Sequence, residues 1–382
     1  MTFKLRLPHY FAASVRRQIG ELYASTAIAD LAIAMVMLFE PIFLYSVLHF
    51  SVEQVLIYTA LLYAFYILLI PFGAKFASRF GYEHGIYLSI PFQILFWLSL
   101  YFGQHNVWVL YSGPLVYALE KSFFWPAFHA SVARFARDQQ RGREFSVLYA
   151  IVNLVYIFGP FSGGFIAEKY GVSTAFIVAS VIYVCSFIPL YTTPEIFIPK
   201  IYQYKDTWQL YWNFPKKFLG YLGFGEEVLV LTIWPIYIYI VVKDYQNTGS
   251  LVTVATLFAT VLALYVGKIT DQYSKRVLIK VGAFFYFLVW LARLAANNFA
   301  GVFAVDTLSR TSKDIVFIPL STLTYERAEA THIMPYVVFF EQSLAVGKLL
   351  ACLLGATLFY LTGSFMLLFV LAGLFSLLYM YI

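Results

Sequence analysis

The chain contains twelve apolar runs of membrane-spanning length, and this pattern restricts its fold more than any other feature. A bilayer core requires about 20 consecutive apolar residues per helix. Backbone polar groups in lipid must be satisfied within the segment, so repeated runs of this length predict a helical bundle. With 61% hydrophobic and 12% charged residues, the 382-residue chain leaves no room for a soluble domain. The runs, numbered here as spans 1 to 12, are 23–48, 54–74, 85–102, 106–127, 145–167, 172–192, 219–242, 249–267, 278–296, 298–320, 335–361 and 363–382.

Lysine and arginine in the loops predict the orientation of these spans. With the N-terminus inside, 19 of the 26 basic residues lie on inner segments and three, Lys169, Lys243 and Arg293, lie on outer ones. Both termini are therefore expected in the cytoplasm of a multi-pass protein of a prokaryotic inner membrane. A basic segment at 10–22 predicts an amphipathic helix on the membrane surface. The longest polar connection predicts an N-terminal bundle at 1–192, a cytoplasmic linker at 193–217 and a C-terminal bundle at 218–382.

The two halves of the chain repeat each other. Pro41 of span 1 corresponds to Pro235 of span 7 at an offset of 194 positions, and Pro126 of span 4 corresponds to Pro319 of span 10 at an offset of 193. Each proline of the second pair is followed by an arginine eight residues later. Two parallel repeats with an even number of helices imply a pseudo-twofold axis along the membrane normal, with a site near the midplane between them.

Loop motifs connect this repeat to a known family. Residues 267–276, Gly-Lys-Ile-Thr-Asp-Gln-Tyr-Ser-Lys-Arg, match a G-x-x-x-D-x-x-x-[KR]-[KR] loop, and residues 74–81 look like a degraded copy with serine in place of aspartate. The chain thereby resembles the major facilitator superfamily along its whole length. The resemblance implies an all-α protein of twelve transmembrane helices in two six-helix bundles, which transports by alternating access and is not an enzyme. It also implies a cytoplasmic gating motif formed by Ser78, Arg79, Arg134, Gly267, Asp271, Lys275, Arg276 and Arg327.

Span 5 is similar to the core of the family's antiporter motif. Its residues 159–164 read Gly-Pro-Phe-Ser-Gly-Gly, and the small residues Gly159, Gly163 and Gly164 with Pro160 favour close helix packing. Two other positions depart from the antiporter pattern: Pro114 replaces the usual arginine of span 4, and Val155 replaces a glycine.

Charged residues inside spans indicate where function lies. A charge at mid-bilayer costs at least about 2.5 kcal/mol, so it is found there only where it is paired, hydrated or functional. In the resembled family spans 1, 4, 7 and 10 line the cavity. The candidates for substrate binding or proton coupling are Asp30, Glu40, Glu120, Lys121, Glu226, Glu227, Asp306, Arg310, Lys313, Asp314 and Glu341. An inert ion-pair network that holds the halves together is the alternative.

Three of these assignments are specific. Asp30 is a candidate proton carrier, or else a hydrogen-bonded polar residue near the inner interface. Asp306, Arg310 and Asp314 lie at i, i+4 and i+8 and can form a ladder along span 10. The repeat places Glu120 opposite Lys313, so we predict that these two residues pair across the halves.

Several function classes are excluded or disfavoured by the sequence. The chain has no P-loop motif, its two cysteines lie in apolar runs, and its six histidines show no ligand spacing, so we expect no cofactor and no metal. The expected partners are a small-molecule substrate, protons and membrane lipids, with no nucleic acid, and the expected state is a monomer. The favoured function is proton-coupled export of a small amphipathic organic solute. The alternatives are uptake of a polar metabolite by symport or facilitated diffusion, and a non-transporting sensor or assembly factor on the same fold.

Overall fold

The computed structural model describes residues 17–135, 141–190, 199–270 and 273–382, and the regular structure within them is helical. The helices are α1 Arg17–Val36, α2 Phe39–Ser46, α3 Val52–Phe80, α4 Tyr82–Gly103, α5 Val107–Phe135, α6 Arg141–Tyr170, α7 Val172–Cys185, α8 Phe187–Leu190, α9 Tyr204–Asn213, α10 Pro215–Leu222, α11 Gly225–Val242, α12 Tyr245–Thr270, α13 Lys275–Ala292, α14 Phe299–Ala330, α15 Ile333–Thr362 and α16 Phe365–Leu377.

A helix or a pair of helices occupies each of the twelve predicted spans. Spans 1, 6 and 7 are pairs, formed by α1 with α2, α7 with α8 and α10 with α11. Among the described residues, seven helical segments are long and apolar enough to cross a membrane on length and composition alone. α14 does not meet this criterion because four charged residues lie near its centre. α16 with its 3₁₀ extension forms a shorter apolar helix. The chain is therefore an all-α, multi-pass integral membrane protein.

Capping residues explain where several helices begin and end. Ser51 precedes α3 in a capping box, in which the side chain of Gln54 accepts a hydrogen bond from the Ser51 amide at 2.9 Å. Asn298 caps α14 by accepting from the Gly301 amide at 2.8 Å. Gly363 ends α15 with a φ of 63°, a left-handed conformation that glycine adopts without steric cost.

The helix boundaries reproduce the repeat in the sequence. α3 begins at Val52 and α12 at Tyr245, 193 positions later. The same offset of 193 separates the starts of α4 and α13, and of α7 and α16. Because helix starts and not only single residues recur at this spacing, the repeat extends to the order and the starting positions of these helices.

Close helix crossings join the two halves at one end of the bundle, named here the Tyr245 end. Ser46 at the end of α2 hydrogen-bonds the Tyr245 hydroxyl at 2.8 Å, and the Tyr245 amide donates to Glu168 of α6 at 2.9 Å. On the same pair of helices a Cβ added to Gly164 would lie 2.7 Å from the Tyr245 carbonyl oxygen, and one added to Gly249 would overlap the carbonyl of Pro160. Small residues are therefore required where α6 and α12 cross.

The other two glycines of the span 5 motif lie against span 1. A Cβ added to Gly159 would overlap Ala34, and one added to Gly163 would overlap the carbonyl of Met35. These backbones therefore touch directly, and the motif residues lie in helix contacts rather than in the cavity described below.

The opposite end of the bundle, named here the linker end, carries the connection between the halves. The structure places α9 within this predicted linker and begins α10 at Pro215, four residues before the predicted start of span 7. The side-chain amide of Gln342 on α15 donates to the Ile67 carbonyl of α3 at 2.9 Å, and this hydrogen bond joins the two halves. The Tyr204 and Tyr211 hydroxyls of α9 both donate to Gln342 at 3.1 Å.

Some sequence predictions fall outside the described residues. The predicted surface helix at 10–22 lies mostly before residue 17, and its last six residues belong to α1. Asp271 of the gating motif also lies outside, as does the side chain of Arg134. The backbones of Arg134 and Gly267 belong to α5 and α12.

Candidate functional site

A cavity of about 390 Å³ lies between the two halves of the chain. Residues of α1 to α6 line one side of the cavity, and residues of α11, α14 and α15 line the other. Phe224, just before α11, also belongs to the second side. Twelve of the lining side chains are aromatic. Five carboxylates line the cavity, those of Asp30, Glu40, Glu120, Glu227 and Glu341. The basic side chains in the lining are Lys121, His129 and Lys348.

The first-half charges of the cavity are only partly satisfied. The Trp97 indole donates to the Glu40 carboxylate at 2.8 Å. The Lys121 ammonium lies over the ring of Tyr117, 4.3 Å from its centroid, in a cation–π contact. The Glu120 side chain is only 4% exposed, yet among the described side chains it forms no ion pair or hydrogen bond. Glu120 is therefore a buried carboxylate whose only open direction is the cavity.

In the second half the charges neutralise one another. Lys313 contacts two carboxylates, with its Nζ 2.8 Å from Glu226 Oε1 and 3.1 Å from Glu227 Oε1. Lys348 contacts the other oxygen of Glu227 at 2.7 Å. We name these four residues the paired cluster; it contains two acids and two bases and has no formal net charge.

Glu226 is the most deeply buried member of the paired cluster. Its side chain has no exposed surface, and it accepts hydrogen bonds from the hydroxyls of Tyr286 at 2.7 Å and Tyr379 at 3.0 Å. Full pairing of this kind offsets the cost of burying a carboxylate in an apolar bundle. This arrangement ties α11 to α13, α14 and the C-terminal residues.

The predicted pair between Glu120 and Lys313 is wrong. Lys313 turns toward span 7, where Glu226 and Glu227 lie within 3.1 Å, and it does not line the cavity. At the span 1–span 7 offset of 194, the corresponding first-half positions are Ala32 and Ile33. The repeat preserves helix positions but not this pair of carboxylates, so the partners of Lys313 could not be predicted from the first half.

The predicted ladder on α14 forms over one of its two steps. Arg310 Nε lies 2.8 Å from Asp306 Oδ2, and the Trp234 indole donates to the other carboxylate oxygen at 2.8 Å. No ion pair joins Arg310 to Asp314, although both residues are described. None of these α14 charges lines the cavity, so their contacts are with neighbouring helix residues.

A cluster that the sequence analysis missed bridges the halves on the linker side of the cavity. His129 Nε2 of α5 lies 2.8 Å from Glu341 Oε1 of α15, and its Nδ1 lies 2.7 Å from the Tyr325 hydroxyl of α14. The Tyr66 hydroxyl of α3 donates to the second Glu341 oxygen at 2.8 Å. These four residues, the bridging cluster, join two helices of each half through one carboxylate and one imidazole.

A sequence signal for His129 existed. Lys121, Trp125 and His129 lie at i, i+4 and i+8 on α5, so they share one helix face, and all three line the cavity. A rule based on metal-ligand spacing does not detect His129, because its partner Glu341 lies 212 positions away in sequence. Lys348 of span 11 also lines the cavity and is not among the candidates predicted from the sequence.

Six of the eleven predicted coupling residues line the cavity. Asp30, half-buried on α1, is among them and forms no ion pair or hydrogen bond with the side chains that the structure describes. The other five lie behind the lining, in the paired cluster or on α14. The lining residues are Asp30, Glu40, Glu120, Lys121, Glu227 and Glu341, and those behind it are Glu226, Asp306, Arg310, Lys313 and Asp314.

The described residues of the predicted gating motif lie at the linker end. Lys275 forms an ion pair with Glu326 of α14, and the buried Ser78 accepts the Lys200 amide on its carbonyl oxygen at 2.8 Å. The Arg327 guanidinium lies 5.2 Å from the ring centroid of Phe214. Arg79 contacts the neighbouring Phe80 ring, and Arg276 is exposed.

Comparison with known proteins agrees with this architecture. The model of the Major Facilitator Superfamily matches residues 22–224, more than half of the chain. Multidrug resistance protein 2 of Bacillus subtilis (strain 168) is 30% identical over 112 residues, which cover 29% of this chain and 28% of that protein. An uncharacterized MFS-type transporter of the same organism, YqjV, is 28% identical over 115 residues, 29% of this chain and 27% of its own length. The matched segments thus span less than a third of these relatives. The match across more than half of the sequence, together with the helical architecture, shows that the chain belongs to the major facilitator superfamily.

Proposed function

We propose that the protein is a monomeric secondary transporter that exports small amphipathic organic solutes, preferably cations, in exchange for protons. It works by alternating access around the central cavity, in a prokaryotic inner membrane, with both termini and the linker end in the cytoplasm. The gating motif latches the cytoplasmic helix ends and biases the equilibrium between inward and outward states.

The unpaired carboxylate of Glu120 is the observation that carries this proposal. Of the two lysines in the lining, one lies over the Tyr117 ring and the other is bound by Glu227. A buried carboxylate without a cation favours a ligand that brings one, or a proton. The surrounding aromatic rings add cation–π attraction and apolar contact, which suit a planar or amphipathic cation.

The bridging cluster supports a role for protons. A proton that neutralises Glu341 removes the charge that holds His129, and it weakens the link between the halves on the linker side. Protonation and opening toward the cytoplasm would then be coupled through one contact. The name of the B. subtilis relative, Multidrug resistance protein 2, agrees with export, although the shared segment is short.

The test is a flux measurement in proteoliposomes with a pH indicator trapped inside. Ethidium, a planar aromatic cation, is added outside vesicles whose interior is acidic, and its uptake and the internal pH are followed together. Exchange predicts that ethidium enters while protons leave, and that Glu120→Gln abolishes this response. Protein-free vesicles provide the leak rate.

The alternatives give other results. A symporter would carry ethidium or a polar metabolite and protons in the same direction. A sensor or assembly factor would move neither above the leak rate. Exchange that persists unchanged in Glu120→Gln would leave the transporter in place but would remove this carboxylate from the solute site.

A further inference from the structure

The helix within the linker, α9, presents an apolar face that no other described part of the chain covers. Trp208 and Trp212 lie at i and i+4, with side chains 54% and 76% exposed, and they form an aromatic stripe. At the edge of the stripe, where its hydroxyl contacts Gln342, lies Tyr204, which is 40% exposed. Ile201, three residues earlier, is 90% exposed. A stripe of this width and length on a surface helix requires an apolar or interfacial neighbour.

The opposite face of α9 is held firmly, so the aromatic stripe has a fixed direction. The buried Thr207 donates to the Pro335 carbonyl at 3.2 Å, and the Tyr211 ring packs 4.9 Å from that of Phe339. With the hydroxyl contacts to Gln342 described above, these interactions attach α9 along the first three turns of α15.

The attachment lies on the outside of the bundle. The α15 residues that line the cavity are Phe340, Glu341, Leu344 and Lys348. The α15 residues that contact α9, namely Pro335, Phe339 and Gln342, lie on other faces of the same helix. In a protein that spans the membrane, this position at the end of the bundle is the level where lipid headgroups lie.

The charges around α9 identify the neighbour. Lys200, Lys205 and Lys216 are exposed next to the aromatic stripe, and Lys217 is half-buried, against one acidic residue, Asp206. Tryptophan is enriched at the headgroup level of bilayers, and lysine clusters there attract anionic lipids. A soluble protein partner would explain the aromatic rings but not their position at the end of a membrane-spanning bundle.

We propose that α9 is an interfacial helix that binds the anionic headgroup region of the linker-side leaflet. Trp208 and Trp212 enter the boundary between headgroups and acyl chains, and the lysines contact phosphates. The inference concerns the linker only and does not depend on the transported solute.

The test uses a probe at the stripe of the full-length protein. Cys185 and Cys352, the two native cysteines, are replaced by serine and alanine, and Trp212→Cys is labelled with a small fluorophore while Trp208 is retained. The protein is reconstituted in phosphatidylcholine with or without phosphatidylglycerol. The matched control carries the label at Trp108→Cys, an 82% exposed site at the start of α5, on the Tyr245 side.

Quenching by nitroxide lipids labelled near the headgroup should be strong at position 212 and should increase with phosphatidylglycerol. Lys205→Gln with Lys216→Gln should remove the increase. At the control position, quenching should be the same in both lipid mixtures. Quenching at position 212 by aqueous iodide but not by nitroxide lipid would overturn the proposal, and it would indicate water or a soluble partner on this face. Quenching that ignores phosphatidylglycerol would overturn the anionic preference.

Discussion

Replacement of Lys313 by methionine should destabilise the protein more than any other single lysine change within the spans. The variant leaves Glu226, which has no exposed side-chain surface, with two tyrosine hydroxyls and no cation. Glu227 keeps its second partner, Lys348, at 2.7 Å. Removal of one member of a buried ion pair costs about 3–5 kcal/mol because a charge remains unpaired. We expect a loss of that size in the free energy of unfolding.

The matched control is Lys121→Met on span 4, the repeat-related helix. Lys121 lies over the Tyr117 ring at 4.3 Å, so its removal costs a cation–π contact, worth about 0.5–2 kcal/mol. The two variants lose the same charge and gain the same side chain, and they differ in what the lysine contacts. Addition of Glu226→Gln to Lys313→Met removes the unpaired charge, so the double variant should regain most of the lost stability.

Equilibrium unfolding in mixed micelles with increasing sodium dodecyl sulfate, followed by circular dichroism, gives the three free energies. Equal stability of Lys313→Met and Lys121→Met would refute the reasoning. So would a double variant that is no more stable than Lys313→Met, because the cost would then arise from packing and not from charge.

Four further outcomes are expected. Glu120→Gln should leave the unfolding free energy within about 1 kcal/mol of the native value, since it breaks no pair. Ethidium binding to this variant, measured by fluorescence, should nevertheless weaken at least about tenfold, and equal binding would exclude a charge contact. Asp30→Asn should abolish flux driven by a pH gradient while it preserves passive exchange, and an unchanged gradient response would remove this residue from coupling. His129→Asn should increase the rate at which maleimide labels a cavity cysteine from the linker side. An unchanged labelling rate would show that the bridging cluster is not a gate. Gly249→Ala should impair folded yield because its Cβ would overlap a carbonyl, whereas Gly355→Ala, whose nearest neighbour is a leucine methyl group 3.3 Å away, should not.

The sequence predicted the helices well because lipid imposes a simple rule on length and polarity. Every apolar run corresponds to a helix or a helix pair, and the repeat between prolines extends to helix starts. The charged residues were also placed on the correct spans. Their partners could not be predicted, because a pair such as Lys313 with Glu226 depends on how two helices rotate about their axes.

The bridging cluster and α9 show two other limits. His129 needs a carboxylate from the other half of the chain, and a single histidine gives no periodic signal. α9 was not predicted as a helix within the polar connection, because its apolar face is narrow and is interrupted by lysine and glutamine. In both cases the decisive information is long-range: which helix lies next to which residue in the folded bundle.

The neutrality of the paired cluster also determines how the protein responds to membrane voltage. A unit charge that crosses the membrane field exchanges about 2.3 kcal/mol per 100 mV, whereas a cluster with equal numbers of acids and bases does almost no electrical work when it moves as one body. The four charged residues that the first half contributes from spans 1 and 4, namely Asp30, Glu40, Glu120 and Lys121, have a formal sum of −2. Movement of the paired cluster is therefore electrically silent, and in the proposed transport cycle the current depends on the charged residues outside this cluster and on the charge of the solute and protons.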